Sequence, residues 1–326
     1  MQAQTLTFIG LTRASLSVAL ALKDGLPDLV RVGHDPNDSD RANQAAEKEI
    51  FARAEHSLEK ALSSADILIL DLDPAATEKL FPLMAELVQP HAVITHLTPR
   101  AEAVQKLADK HLPEGFFVNA APVQSVHTFG SATDDIFASA DPNLFRDSLF
   151  CLMPSSKVDQ AAVNTIRAIG QMLGSKPFFI DAAEYDVYTT ATELLPQIAQ
   201  LALFEALYSQ PAWADIRRLA GDSFTQGTAE FADQGPAMAS AIFSNKEASV
   251  HWINQMIKSL ADVRGWIEKT DEKGVAQIIS ERSFNREEWL QKRKDNEWSE
   301  EQGGEVQVQN LREAFLGSLL GRMGRG

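Results

Sequence analysis

Seven short apolar runs, set apart by helix-patterned segments, organise the first 180 or so residues of this 326-residue chain. The runs are LTFIG, LVRVGHD, ADILILDLD, HAVITHL, GFFVNAAP, SLFCLMP and PFFIDA. Between them stand SLSVALALKDG, DRANQAAEKEIFARA, AATEKLFPLMAELV, AEAVQKLADKHL and QAAVNTIRAIGQML. Strands covered on both faces read as continuous apolar runs, and a parallel pair needs a helix-length crossover between its members. The alternation therefore predicts an α/β chain that begins with a doubly wound parallel sheet over residues 1–182.

From Ala183 the pattern changes to long helical periods, with Val250, Ile253, Ile257, Leu260 and Val263 on one apolar stripe. Residues 183–298 read as an all-α domain, and the stripe suits packing against a second copy, so a homodimer is expected. Residues 299–326 read as a polar, glycine-containing linker and a short amphipathic helix. That helix carries Leu311, Phe315 and Leu319 on one side, with Arg312, Arg322 and Arg325 making it locally basic. It is expected to dock on this chain or its partner subunit, a surface-binding peptide being the alternative.

The net charge of −15 opposes non-specific binding to nucleic acid, which needs basic surface to replace counterions. No stretch is long and apolar enough to span a bilayer, and no export signal is visible at the N-terminus. The single cysteine, Cys151, excludes an intrachain disulfide framework and fits a reducing, cytoplasmic setting. Its apolar neighbours in LFCLMP make it a packed small hydrophobe rather than a nucleophile. No metal-ligand spacing is present.

The turn TFIGLTRASL has the layout of a Rossmann-type dinucleotide fingerprint, G-x-G-x-x-G, with two glycines replaced. Gly10 keeps the tight turn. Thr12 stands where the diphosphate backbone comes nearest, and Ser15 where helix packs on strand. The candidate cofactor residues are Gly10, Leu11, Thr12, Arg13, Ala14 and Ser15, with Arg13 placed to supply positive charge. Asp35 ends the second strand at the offset of an acidic residue that bonds the adenosine ribose, which favours NAD over NADP. Asp71 and Asp73 close the third apolar run at the crevice edge, and two carboxylates there oppose a diphosphate. Asp73 is placed to cap the following helix instead.

Taken together, FIGLTRASLSVALALK, GHDPN, ADILILDLDP, HAVITHLTPRAEAV, FFVNAAPVQS, EYDVYTTATELLPQIAQLAL and SNKEASVHWINQMIKSL resemble the prephenate/arogenate dehydrogenase family. The resemblance runs over nearly the whole chain and lies in the order and spacing of the segments. It implies an NAD(P)-binding domain, a helical dimerisation domain and a small-molecule substrate. It implies an oxidative decarboxylation in tyrosine biosynthesis, in which hydride passes from a ring carbinol to the cofactor.

That reaction needs a base for the hydroxyl proton and cations for the substrate carboxylates. The family's glycine-glycine-histidine-proline-methionine motif falls on NAAPV, which puts Ala121 at the histidine. Its serine falls on Pro99, or on Thr98 after a one-residue shift. A histidine-aspartate pair falls on Tyr185 and Asp186, a second histidine on Leu194, and the substrate arginine on Ala229. His96, His127 and Thr98 are the nearest replacements for the lost polar groups, and both histidines also suit ordinary loop or surface positions. Three readings follow. The chain is a dehydrogenase for another substrate with a relocated base, or a non-catalytic relative that binds an effector or partner. Alternatively it oxidises prephenate or arogenate through a shifted alignment, or serves a structural role.

Overall fold

A computed structural model describes residues 4–26, 29–97, 100–232, 235–269 and 271–297. The chain divides into two compact units. The first takes in the sheet and, within the described residues, Asn285 to Glu297; the second spans Ala183–Phe284. The helical unit thus closes at Phe284, short of the 298 read from the sequence. The tail at 299–326 lies outside the described residues.

The first unit is an eight-stranded sheet in the order β3-β2-β1-β4-β5-β6-β7-β8. Its strands are β1 Thr5–Ile9, β2 Val30–His34, β3 Arg53–Ala54, β4 Ile67–Leu70, β5 Val93–Leu97, β6 Phe117–Pro122, β7 Leu149–Met153 and β8 Lys176–Phe179. The helices between them are α1 Arg13–Gly25, α2 Ser39–Glu47, α3 Leu58–Ser63, α4 Pro74–Leu87, α5 Ala101–His111, α6 Ile136–Ser139 and α7 Gln160–Met172. Successive strand residues face opposite sides, and both sides are dry. Leu6, Phe8, Ile67 and Ile69 enter one core with Leu16, Phe51 and Phe150. Ile9, Leu68 and Leu70 enter the other with Phe81, Met84 and Phe117. Burying each such side chain contributes about 1.5–3 kcal/mol before the loss of chain entropy is set against it.

The doubly wound sheet is as read, with two exceptions: the two-residue β3 falls in the segment read as a helix over 40–54, and β7 runs antiparallel to β6. No crossover helix covers that connection. A 3₁₀ turn at Val126–Thr128 and the single turn of α6 fill the loop instead. The helix read over 40–54 stops at Glu47, because Glu49 turns left-handed at φ 58° and lets Ile50 and Phe51 enter the core. A proline inside a helix removes one hydrogen bond, yet α4 runs through Pro82. Pro82 and Glu78 are both exposed, so water serves the carbonyl that lost its donor.

The second unit comprises α8 Ala182–Thr189, a π-turn at Thr190–Leu194, α9 Leu195–Tyr208, α10 Trp213–Leu219, α11 Asp222–Gln226, α12 Gly235–Ser244, α13 Lys246–Lys269 and most of α14 Glu272–Asp295. Phe204 anchors it, with the rings of Tyr208, Trp213, Phe224 and Phe231 centred 5.5 to 6.1 Å away. No described helix is long and apolar enough to cross a membrane.

Candidate functional site

The β1–α1 turn is built tightly. Gly10 is left-handed at φ 86°, and a Cβ there would meet the Asp71 carbonyl oxygen at 2.1 Å, so only glycine fits. Thr12 is the N-cap of α1: its Oγ1 accepts from the amides of Ala14 (3.0 Å) and Ser15 (3.4 Å). Ser15 completes a capping box by accepting from the Thr12 amide at 2.8 Å. Both replaced glycines therefore belong to the cap. The fully buried Ser15 also keeps the helix-packing position small.

Asp71, the residue after β4, reaches this cap from below. Its Oδ2 accepts from the Thr12 hydroxyl and, at 3.2 Å, from the Ser15 amide. Burial pushes its pKa up to about 6, outweighing the lowering effect of those bonds. Asp73 behaves differently. It caps α4, accepting from the Ala76 amide at 2.9 Å, as its position before Pro74 suggests.

Arg13 faces away from this work. Its Nε donates to the Ser139 carbonyl at 2.8 Å and its Nη2 to the Ser131 hydroxyl at 2.7 Å, both in the β6–β7 loop. Asp35 is buried at the end of β2 with both oxygens engaged. Oδ1 accepts from the amides of Asn37 (2.9 Å) and Asp38 (3.0 Å), and Oδ2 from the Leu11 amide (3.2 Å) and Arg41 (3.0 Å). Beside them opens a largely apolar cleft of about 280 Å³, lined by Ile9, Pro36, Asn37, Leu72, Lys79 and Leu83 among others.

A dinucleotide makes two demands on such a crossover: close approach at position 12 with free amides at the helix start, and a pocket for its nucleoside. The second has a candidate in the cleft, which Pro36 and Asn37, just after Asp35, help to line. The first is not met, because Thr12 and Asp71 hold the Ser15 amide. The diphosphate half does not fit as built.

The candidate proton-transfer groups are scattered. His96 lies in the core on β5, its Nε2 3.1 Å from Thr77 Oγ1 and its Nδ1 without a partner among the described residues. Burial drives its pKa down to about 3, so it stands neutral. This is neither of the loop or surface positions expected of it. His127 is exposed on the 3₁₀ turn that follows β6. Thr98 and Pro99 lie outside the described residues. Ala121 sits in the β6 ladder opposite Cys151, whose buried thiol is pushed up to about 12. Leu194 is buried at the end of the π-turn, closed by the Leu195 amide donating to the Thr190 carbonyl. The described residues include no cluster of three or more metal-binding side chains.

Sequence reasoning missed Arg41 and the work of Asp71. Arg41 had a readable signal, lying six residues after Asp35 in the first turns of α2. Asp71 had only its unusual presence in an apolar run, since its partners are 56 and 59 residues distant.

Comparison with known proteins agrees with the architecture. The family description "Prephenate dehydrogenase, nucleotide-binding domain" matches residues 18–177, beginning beyond the β1–α1 turn. "Prephenate dehydrogenase, dimerization domain" matches residues 181–281. The prephenate dehydrogenase of Bacillus subtilis (strain 168) is 24% identical over 276 residues, 82% of this chain and 71% of its own. The prephenate dehydrogenase from A. aeolicus, solved with hydroxyphenyl propionate and NAD+, superposes with a TM-score of 0.75 at 18% identity, over 89% of this chain and 99% of that one. Synechocystis arogenate dehydrogenase gives 0.71 at 16% identity, over 88% and 100%. With a nucleotide-binding sheet domain followed by a dimerization-type helical domain, the chain belongs to the prephenate/arogenate dehydrogenase family.

Proposed function

We propose that this chain keeps the family's fold without its reaction, and acts as a dimeric, cytoplasmic regulatory or partner-binding protein that takes a small-molecule effector. The observation that carries this reading is at the carboxyl end of β6. The side chains there are Ala120, Ala121 and Pro122, none of which moves a proton, and the neighbouring His96 is sealed in the core. The test follows reduced nicotinamide while purified protein is supplied with prephenate or arogenate and NAD or NADP. The expected result is no turnover above a protein-free blank. Turnover of an ordinary enzyme, about 1 per second or faster, overturns the reading.

A second reading has one observation in its favour. His127 stands exposed just beyond β6 and could serve as a relocated base for another cyclic hydroxy acid. Substrate-dependent NAD reduction that disappears in His127→Ala would establish it. On that second reading, the acidic residue at the end of β2 favours an unphosphorylated ribose, and so NAD over NADP. Asp35 stands at the offset of the residue that bonds the ribose hydroxyls in such folds, where a carboxylate opposes a 2′-phosphate.

A further inference from the structure

We infer that Asp71 is a built-in anion standing in for a diphosphate at the start of α1, so that the crossover takes an uncharged nucleoside and rejects a dinucleotide. This deepens the regulatory reading, since it states what class of effector the sheet domain would hold.

The inference starts from two features of the cap that fit one another. Thr12 and Asp71 are complementary: the hydroxyl donates to the carboxylate. The same carboxylate oxygen accepts from the Ser15 amide at 3.2 Å, within the first turn of α1, where a helix offers its positive end to an anion. An incoming diphosphate would have to displace a negative group that is already hydrogen-bonded there.

Most of the surrounding cations are engaged elsewhere. Asp73 lines the cleft, and Asp35, one residue before the lining Pro36, is held by Arg41 at 3.0 Å. Arg13, the cation nearest in sequence, is bonded to Ser131 and Ser139 in the β6–β7 loop. His34 bonds the Glu55 carbonyl at 2.8 Å, and His96 is buried against Thr77. Lys79 lines the cleft from α4 and is the basic side chain facing it.

The cleft itself remains. Its volume of about 280 Å³ lies at the small end of ligand pockets, a size for a base with its sugar rather than for two nucleotides. Ile9, Leu72 and Leu83 offer apolar surface for a planar ring, and Asn37 and Asp73 offer polar groups at its margin. The ligand class that matches is a neutral nucleoside.

The test is titration calorimetry of the full chain at pH 8 with adenosine, ADP and NAD. The wild-type protein should bind adenosine, with ADP and NAD weaker by about tenfold or more. Thr12→Gly combined with Asp71→Ala should largely erase that preference, gaining about tenfold for ADP and NAD while adenosine changes by no more than about threefold. Asp71→Asn keeps an oxygen for both donors and removes the charge, so it should gain severalfold for ADP even if the double variant fails to fold. Wild-type protein that binds NAD or ADP as tightly as adenosine overturns the inference. So does a wild type that binds no adenosine, or an Asp71→Asn protein with no gain for ADP. Tight NAD binding without turnover would sink this inference and leave the non-catalytic reading standing, whereas turnover would sink that reading.

Discussion

Arg41 on α2 holds the carboxylate of Asp35, Nη1 to Oδ2 at 3.0 Å, while its other terminal nitrogen reaches Asp38 at 3.4 Å. The Asp35 side chain is 3% exposed and that of Arg41 34%, so the pair couples a sealed carboxylate to a half-covered cation. The same Nη1 donates to the Leu11 carbonyl at 3.3 Å, tying the end of β2 to the turn after β1. Removing the arginine leaves a buried charge with three amide donors and no counterion.

Arg41→Ala should therefore destabilise the protein by about 1–2 kcal/mol, less than a fully buried broken pair because the amide donors remain. Chemical denaturation at pH 7.5 reads this directly. Asp35→Asn added to Arg41→Ala should recover part of the loss. A double variant no better than the single would show that Arg41 acts through packing alone.

Asp71 predicts a pH dependence of definite sign. Its pKa is raised in the fold to about 6 from 3.8, so the folded state holds the proton more tightly than the unfolded chain. Ionisation therefore weakens the fold. The penalty is absent below the unfolded value and is fully present once the pH has risen through about 6. Asp71→Asn should be more stable than wild type by about 1–2 kcal/mol at pH 7.5, a figure kept low because Asp71 is only half-buried as a residue. Denaturant midpoints of the two proteins should converge at pH 4. An unchanged gap across that range would remove Asp71 from any charge-sensitive role.

His96 works in the opposite direction over an overlapping range. Its pKa falls to about 3 in the fold from 6.5, so the unfolded chain binds the proton better. Its contribution is complete above the unfolded value and is lost as the pH falls from there toward about 3. His96→Gln cannot titrate. The wild-type advantage over this variant should therefore shrink by a few kcal/mol between pH 7 and pH 4. A constant difference would mean that His96 reaches water, reopening its candidacy as a base.

These groups also mark how far the sequence could be read. The strands were legible because both faces of the sheet are buried: ILIL and VITHL carry apolar residues toward both cores, and that leaves an unbroken run. The reversal of β7 left one trace, the absence of a helix-patterned segment between GFFVNAAP and SLFCLMP, where a parallel pair needs a crossover. The turn was legible as a site through Gly10, yet its state was not. Whether Asp71 faces water, caps α4 or bonds α1 depends on a β4–α1 contact that no local period encodes. Arg13 illustrates the same limit, since its hydrogen-bond partners lie 118 and 126 residues away. Ala121 and Leu194 could be flagged only through resemblance, because a missing side chain has no physical signature of its own.

The apolar stripe of α13 supports the expected homodimer. Val250, Ile257, Leu260, Val263 and Ile267 are 40 to 67% exposed, spaced at helical intervals along one side. Beside them lies an apolar cavity of about 490 Å³, lined by Leu203, Ile253, Met256, Ile257 and Leu260. Soluble monomers rarely leave so continuous an apolar surface in water, and a second copy is the occupant expected of a dimerization-type domain. Ile257→Glu with Leu260→Glu places two carboxylates on that stripe. The side chains are more than half exposed within one chain, so the variant should keep its helical circular dichroism. Its mass by light scattering should fall from that of a dimer to that of one chain. A variant that stays dimeric would move the interface off this face. One that loses its helical signal would show instead that the stripe is internal packing, with Ile257 and Leu260 covered by the chain's own helices in solution.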